Sequence, residues 1–241
     1  MSRSPAARPI PLALTALVAF FSALAALAVS GGMNMAQAHS PAHHTAPMTM
    51  PMAISVNAGA LSTKAVTLRT DMRRLWEDHV TWTRLAIISL ESGTPDTEAT
   101  VARLLRNQAD IGNAIKPYYG NAAGNTLTQL LRTHILIAAD VIAAAKAGDQ
   151  QKLADAQARW DTNADQIAAT LNTVNPHYWK LGAMKAEMHR HLKLTTEEAV
   201  ARLHGNWNAD VVAYDKVVNH ILHMSDMLTN GIVEQFPSRF R

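Results

Sequence analysis

The sequence predicts an all-α domain, an antiparallel bundle of about six helices built from three repeated helical hairpins. Two observations lead to this prediction. From residue 61 onward, polar capping residues begin each segment and glycines end it, and no segment shows the sustained alternation of a β-strand. In addition, His79, His134 and His191 each precede a glycine by 14 residues. A fixed spacing of this kind indicates an internal repeat.

The six predicted helices follow one another along the second part of the chain. They cover about 63–92, 94–116, 121–148, 149–175, 181–204 and 207–236, within a domain that spans 61–241. Thr94, followed by Pro95, is the predicted cap of the second helix, and Asp149 that of the fourth. Thr195-x-x-Glu198 resembles a capping box and predicts a break within the fifth helix.

Each repeat is predicted to be a helical hairpin of about 55 residues. The Pro-x-Tyr motif at 117–119 recurs at 176–178, and His220 occupies the position that Gln108 and Asn163 hold in the other two copies. One hairpin cannot bury its apolar face alone. The three copies should therefore pack together as a single bundle.

The first 38 residues are predicted to be an export signal. Arg3 and Arg8 form a basic start, residues 11–29 are an uncharged apolar run, and Ala36-Gln37-Ala38 is a small-x-small cleavage site. An uncleaved membrane anchor is the alternative, because the apolar run approaches the roughly 20 residues that span a bilayer. Cleavage would place the mature protein in the periplasm or outside the cell, with no membrane contact.

Residues 39–60 are predicted to be a disordered tail, because their composition is of low complexity and has no hydrophobic period. The tail is rich in potential copper ligands: His39, His43, His44, Met48, Met50 and Met52. Imidazole suits Cu(II) and thioether suits Cu(I), so both oxidation states would find donors here. A plain spacer is the alternative interpretation.

Charge and cysteine content exclude several classes of protein. The formal net charge of +3 falls to about +1 once the two arginines of the signal are removed, and no polybasic stripe is present, so nucleic acid is not a predicted partner. Cysteine is absent. A disulfide framework, a thiolate metal site and covalently attached haem are therefore excluded.

The predicted metal site lies near the C-terminus. His220, His223 and Asp226 are spaced by three, so a helix places them along one side. Since the short turn at 205–206 makes the last two helices antiparallel neighbours, His191 should lie level with His220, and Glu187 level with His223. Imidazole and carboxylate groups at one level can hold a transition metal, with copper favoured and zinc or iron as alternatives.

The other two repeated histidines, His79 and His134, are secondary metal candidates because they lie in the apolar stripe of their helices. The competing interpretation is that each is a neutral core histidine hydrogen-bonded to Asp110 or Asp165, which are secondary candidates themselves.

The function predicted from these residues is that of an exported metal-binding bundle for storage, buffering or delivery. The alternative is a haem-binding or small-molecule sensor-like bundle, in which a histidine with Met188 or Met224 could hold haem and the remaining histidines are structural. An enzyme is disfavoured, since Glu-x-x-His pairs, His-Glu-x-x-His, a phosphate loop and a nucleophile elbow are all absent from the sequence.

Several long motifs carry a family resemblance. Residues 75–84 (LWEDHVTWTR), 116–120 (KPYYG) and 221–228 (ILHMSDML) with 235–237 (QFP) resemble a family of prokaryotic all-helical proteins of uncharacterised function, over about residues 66–237. Members are sometimes labelled glycosyltransferases. The residues of this chain do not support that label, because no alternating strand–helix pattern and no Asp-x-Asp motif between a strand and a loop are present. The resemblance thus implies an all-helical fold and no particular activity.

Overall fold

A computed structural model describes residues 62–241, and the predicted signal and tail lie outside this range. The described part is all-helical, and no strand occurs within it. Its helices are α1 (Thr63–Ser92), α2 (Thr97–Ala147), α3 (Gln150–Val174), α4 (Leu181–Leu203) and α5 (Trp207–Gln235), followed by a 3₁₀ turn at Pro237–Phe240. No helix in this range is both long and apolar enough to cross a membrane.

The helix ends follow the capping chemistry of the sequence. The Ser62 hydroxyl accepts the amide of Ala65 at 3.3 Å, and Asp149 accepts that of Lys152 at 3.0 Å, as the prediction for Asp149 required. Two predicted ends are wrong. Helix α2 begins at Thr97 with Asp96 as its cap instead of Thr94, and α4 continues through the supposed capping box at 195–198.

Helix α2 covers two segments that the sequence predicts as separate helices. Gly120, with φ 82° and ψ 169°, is the only non-helical residue inside it. The parts on either side lie next to each other: Arg132 donates to the Leu105 carbonyl at 3.2 Å. A Cβ atom on Gly112 would lie 2.6 Å from the Gly124 carbonyl oxygen. Glycine therefore permits both the reversal at 120 and the close approach beside it.

The helices pack in a closed order, α1 against α2 and α5, α3 against α2 and α4, and α4 against α5. One end of the bundle contains a buried ion network. The Arg84 guanidinium donates to Glu198 and to Asp210, both at 2.8 Å, and Arg202 donates to Asp210 at 3.2 Å. Both carboxylates are almost fully buried, so their pairing with arginine is a condition for the fold.

Candidate functional site

Four histidines lie close together in the interior of the bundle. His79, His134, His191 and His220 are each at most 4% exposed. His191 is the centre of the group: its ring centroid is 5.6 Å from that of His79, 6.2 Å from His134 and 6.0 Å from His220. Helices α1, α2, α4 and α5 each contribute one of these rings. The repeated histidines of the sequence are therefore brought together in one place.

Amide side chains hold two of these rings. Asn163 donates through its Nδ2 to the Leu130 carbonyl at 3.1 Å, so its Oδ1 faces His134 Nδ1 at 2.8 Å and accepts the proton that this nitrogen carries. The His134 Nε2 atom then has a free lone pair. Gln108 holds His79 in the opposite sense: its Nε2 atom donates to His79 Nδ1 at 3.3 Å, so the proton of the neutral His79 ring is on Nε2.

The aspartates predicted as partners of these histidines lie elsewhere. Asp165 pairs with Lys185 at 2.8 Å and with His189 at 3.0 Å, and Asp110 is exposed. The residue that holds His134 is Asn163, two positions before Asp165. Two residues along a helix turn the side chain by about 200°, to the opposite face. The sequence contained this signal, since Gln108 and Asn163 occupy equivalent positions in the repeat.

Burial keeps the three innermost imidazoles neutral. It lowers the pKa of His79 from 6.5 to about 3 and that of His134 to about 4. Burial also lowers the pKa of His191 far below 6.5, and the neighbouring His79 and His134 lower it further. His191 Nδ1 is buried and has no hydrogen-bond partner within residues 62–241. A buried polar atom without a partner is costly. The His191 Nδ1 atom is therefore available to interact with a ligand.

A second group of side chains lies at the outer side of His220. The His220 Nε2 atom donates to the backbone carbonyl of Glu187 at 3.1 Å. In the neutral ring, Nδ1 therefore carries a lone pair, and it faces the Glu187 Oε2 atom at 3.4 Å. Burial lowers the pKa of His220 although Glu187 raises it. Two acceptor atoms thus face each other across a gap that a cation would fill.

His223 completes this outer group. Its Nε2 atom lies 3.9 Å from Glu187 Oε1, and its side chain is 65% exposed, whereas that of Glu187 is 20% exposed. The Glu187 Oε2 atom itself is buried and lacks a hydrogen-bond partner in the described part of the chain. The group therefore extends from solvent at His223 to the interior at His220.

His220, His223 and Asp226, which the sequence predicts as one row of ligands, do not all lie together in this structure. Asp226 binds Arg73, which donates from Nε at 2.8 Å, and Arg69 lies 3.9 Å away. Hydrogen bonding to Arg73 lowers the pKa of Asp226. Of the five residues predicted for the main site, Glu187, His191, His220 and His223 are neighbours, and Asp226 faces α1.

The described residues do not assemble a metal site. Within residues 62–241, no group of three or more His, Asp or Glu side chains is placed so that it could hold a metal ion. The tail candidates His39, His43, His44, Met48, Met50 and Met52 lie outside the described residues. No protein-family model, curated protein or solved structure matches this chain. The family resemblance therefore stays a prediction, and the function is argued from the site.

Proposed function

We propose that this protein is an exported helical bundle that binds a transition-metal ion, with copper favoured and zinc or iron as alternatives, for storage, buffering or delivery. The observation that carries the proposal is the contact between Glu187 Oε2 and the lone pair of His220 Nδ1, at 3.4 Å. Ligand atoms about 2.0–2.2 Å from a tetrahedral ion lie roughly 3.4 Å from each other. The gap therefore has the width that a shared ion requires.

The surroundings of this gap also suit a cation. Glu187 provides a negative charge, and its Oε2 atom is buried without a partner among residues 62–241. His223 Nε2, 3.9 Å from the other oxygen of Glu187, can approach by a small rotation of an exposed side chain. One carboxylate and two imidazoles form a ligand set that zinc, copper and iron all accept.

The choice of copper depends on the tail. Its alternating methionines and its histidines offer donors for both oxidation states of copper. We propose that the tail collects the ion and that the outer group of Glu187, His220 and His223 retains it. Export to the periplasm follows in this proposal from the predicted signal at 1–38.

We also infer that the bundle is a threefold repeat of one hairpin. Three pairs of residues support this inference, each joining equivalent positions: His79 with Gln108, His134 with Asn163, and His191 with His220. In the third pair a histidine replaces the amide. A duplicated scaffold that exchanged a structural amide for a metal ligand would explain why the outer group occurs in only one of the three pairs.

A haem-binding or sensor-like bundle is the alternative function. The cavity beside Trp76, Met188 and Met224 has a volume of about 10 Å³, whereas pockets for such ligands measure roughly 300–1,000 Å³. Haem would therefore require a large opening of the bundle. Metal binding requires only side-chain movement, so we favour it.

The experiment uses a chain in which the six tail ligands are replaced by alanine, here called the tail variant. The replaced residues are His39, His43, His44, Met48, Met50 and Met52. In this background, His220→Ala/His223→Ala should lower the affinity for Zn²⁺ and Cu²⁺ by at least about 100-fold in isothermal titration, since two of three ligands are lost. His189→Ala/His204→Ala, which removes two exposed imidazoles, is the control. Equal affinities for the two double variants would refute the outer site.

A further inference from the structure

The three innermost histidines form a group that the outer site does not use. His79, His134 and His191 come from α1, α2 and α4, and all three are buried. Two imidazoles that share one ion place their ring centroids roughly 5–6 Å apart, given metal–nitrogen distances of about 2.0 Å. The separations from His191 are 5.6 Å to His79 and 6.2 Å to His134.

The hydrogen bonds of the group leave a nitrogen atom free on two of its rings. His134 donates from Nδ1 to Asn163, so its Nε2 atom carries a lone pair, whereas His79 Nδ1 accepts from Gln108 and its Nε2 atom carries the proton. Ligating histidines in metal sites are commonly held as His134 is, through the nitrogen that does not bind the metal. His191 adds a nitrogen that is buried and has no partner within residues 62–241. His134 and His191 thus each have a nitrogen available to a ligand, and His79 packs beside them.

The electrostatic surroundings of the three imidazoles determine which charge of ion they could accept. None of the three rings is hydrogen-bonded to a carboxylate or paired with one in the described part of the chain. The rings of Trp76 and Trp160 pack against His79 and His134 instead. A divalent ion would bring two uncompensated charges into an apolar interior, whereas a monovalent ion brings one, and the cost of burial rises steeply with charge.

We propose that His134 and His191, beside His79, form an interior two-nitrogen site for a soft monovalent transition-metal ion, of which Cu(I) is the physiological example. Neutral imidazoles are ligands that copper accepts, and the site needs no oxygen donor. This inference rests on the proposed function in taking the protein to be a metal binder, but it concerns different residues and a different charge state of the ion.

The outer group gives this interior site an entry route. From solvent, the steps are 3.9 Å from His223 to Glu187, 3.4 Å from Glu187 to His220, and 6.0 Å between the rings of His220 and His191. A Cu(I) ion can pass inward by exchanging one ligand for the next. Its oxidation state stays the same, so the transfer needs no electron donor.

The test is an anaerobic titration of the tail variant with Cu(I) in competition with a chromophoric Cu(I) chelator. His79→Gln/His134→Gln should lose one Cu(I) per chain and keep its Zn²⁺ affinity, while His220→Ala/His223→Ala should lose its Zn²⁺ affinity and keep the interior Cu(I). Unchanged Cu(I) binding in the glutamine variant would overturn the inference. Unchanged Zn²⁺ binding in the alanine variant alone would instead overturn the proposed function.

X-ray absorption keeps the inference falsifiable if the glutamine variant fails to fold. Cu(I) bound to the His220→Ala/His223→Ala form of the tail variant should have two imidazole nitrogens as neighbours. Sulfur neighbours, or oxygen neighbours alone, would contradict an interior histidine site. Preferential retention of Zn²⁺ over Cu(I) in this form would contradict its selectivity for a monovalent ion.

Discussion

Acid should destabilise the metal-free protein through its buried histidines, and His79 is the clearest case. Burial lowers the pKa of this imidazole to about 3 in the folded protein, from 6.5. In the unfolded chain the same ring titrates at about 6.5. Because the folded-state pKa is the lower one, the unfolded state binds the proton first as the pH falls. The contribution of His79 to stability is therefore complete above pH 6.5 and is lost progressively below it.

The size of the effect follows from the two pKa values. Between about pH 7 and about pH 5, His79 should lower the free energy of unfolding by about 2 kcal/mol, since one pKa unit corresponds to about 1.4 kcal/mol. Two carboxyl groups act in the opposite direction. Burial raises the pKa of Glu91 and of Glu198 to about 7 each, so the folded state binds their protons first and gains stability as the pH falls from 7.

A comparison of variants isolates the histidine contribution. Urea unfolding of wild type and His79→Gln, followed by circular dichroism with a chelator present, should show that the variant loses about 2 kcal/mol less than wild type between the two pH values. Both proteins retain the opposing carboxyl groups. His204→Gln, which removes an exposed imidazole, should behave as wild type does. An identical pH dependence in wild type and His79→Gln would refute the presence of a buried neutral ring at position 79.

Two further changes test the packing that positions the site. Arg84→Met should destabilise the fold by about 3–5 kcal/mol, because it leaves the buried Glu198 without its arginine and Asp210 with Arg202 alone. Arg103→Met, which breaks the more exposed ion pair with Asp78, should cost less than about 1 kcal/mol in urea unfolding. A methyl group on Gly231 would lie 2.1 Å from the buried Trp179 Nε1 atom, so Gly231→Ala should cost about 1–3 kcal/mol by thermal unfolding. Gly182→Ala, which meets nothing within 4 Å, is its control, and equal melting temperatures would contradict this packing.

Local chemistry made most helix ends predictable from the sequence. The serine before α1, the aspartate before α3 and the glycines at 93 and 148 satisfy terminal backbone groups in ways that few residues can. The segment around 117–121 was harder. Proline and glycine there correctly predicted a change of direction: the chain reverses at the non-helical Gly120, and the helical segments on both sides run up to it without an intervening loop.

Helix geometry also explains how much of the site could be predicted. The level of His191 with His220 follows from the fixed rise per residue, and their rings are 6.0 Å apart. The direction of each side chain depends on rotation as well. Six residues along a helix turn it by about 240° beyond one full rotation, so Asp226 points about 120° away from His220. Arg73 on α1, distant in sequence, then binds it.

The Glu198 carboxylate shows what local patterns cannot provide. Its spacing from Thr195 suggested a helix cap, yet its side chain is 1% exposed and binds Arg84 on α1. Only the packing of α4 against a helix more than 100 residues earlier decides between these roles. Packing also decides how close His79 and His134 come to His191. The repeat indicated that the three histidines occupy equivalent positions, but it did not indicate that their rings would be neighbours.

The central claim is that the helical domain itself, and not only the histidine- and methionine-rich tail, binds a transition metal. Its most direct test is the metal content of the tail variant after anaerobic dialysis against excess Cu(I), measured by mass spectrometry of the metal. Binding at the outer and the interior site predicts about two ions per chain, with a fall to about one in His220→Ala/His223→Ala. A tail variant that retains no copper, and likewise no zinc, would contradict the claim.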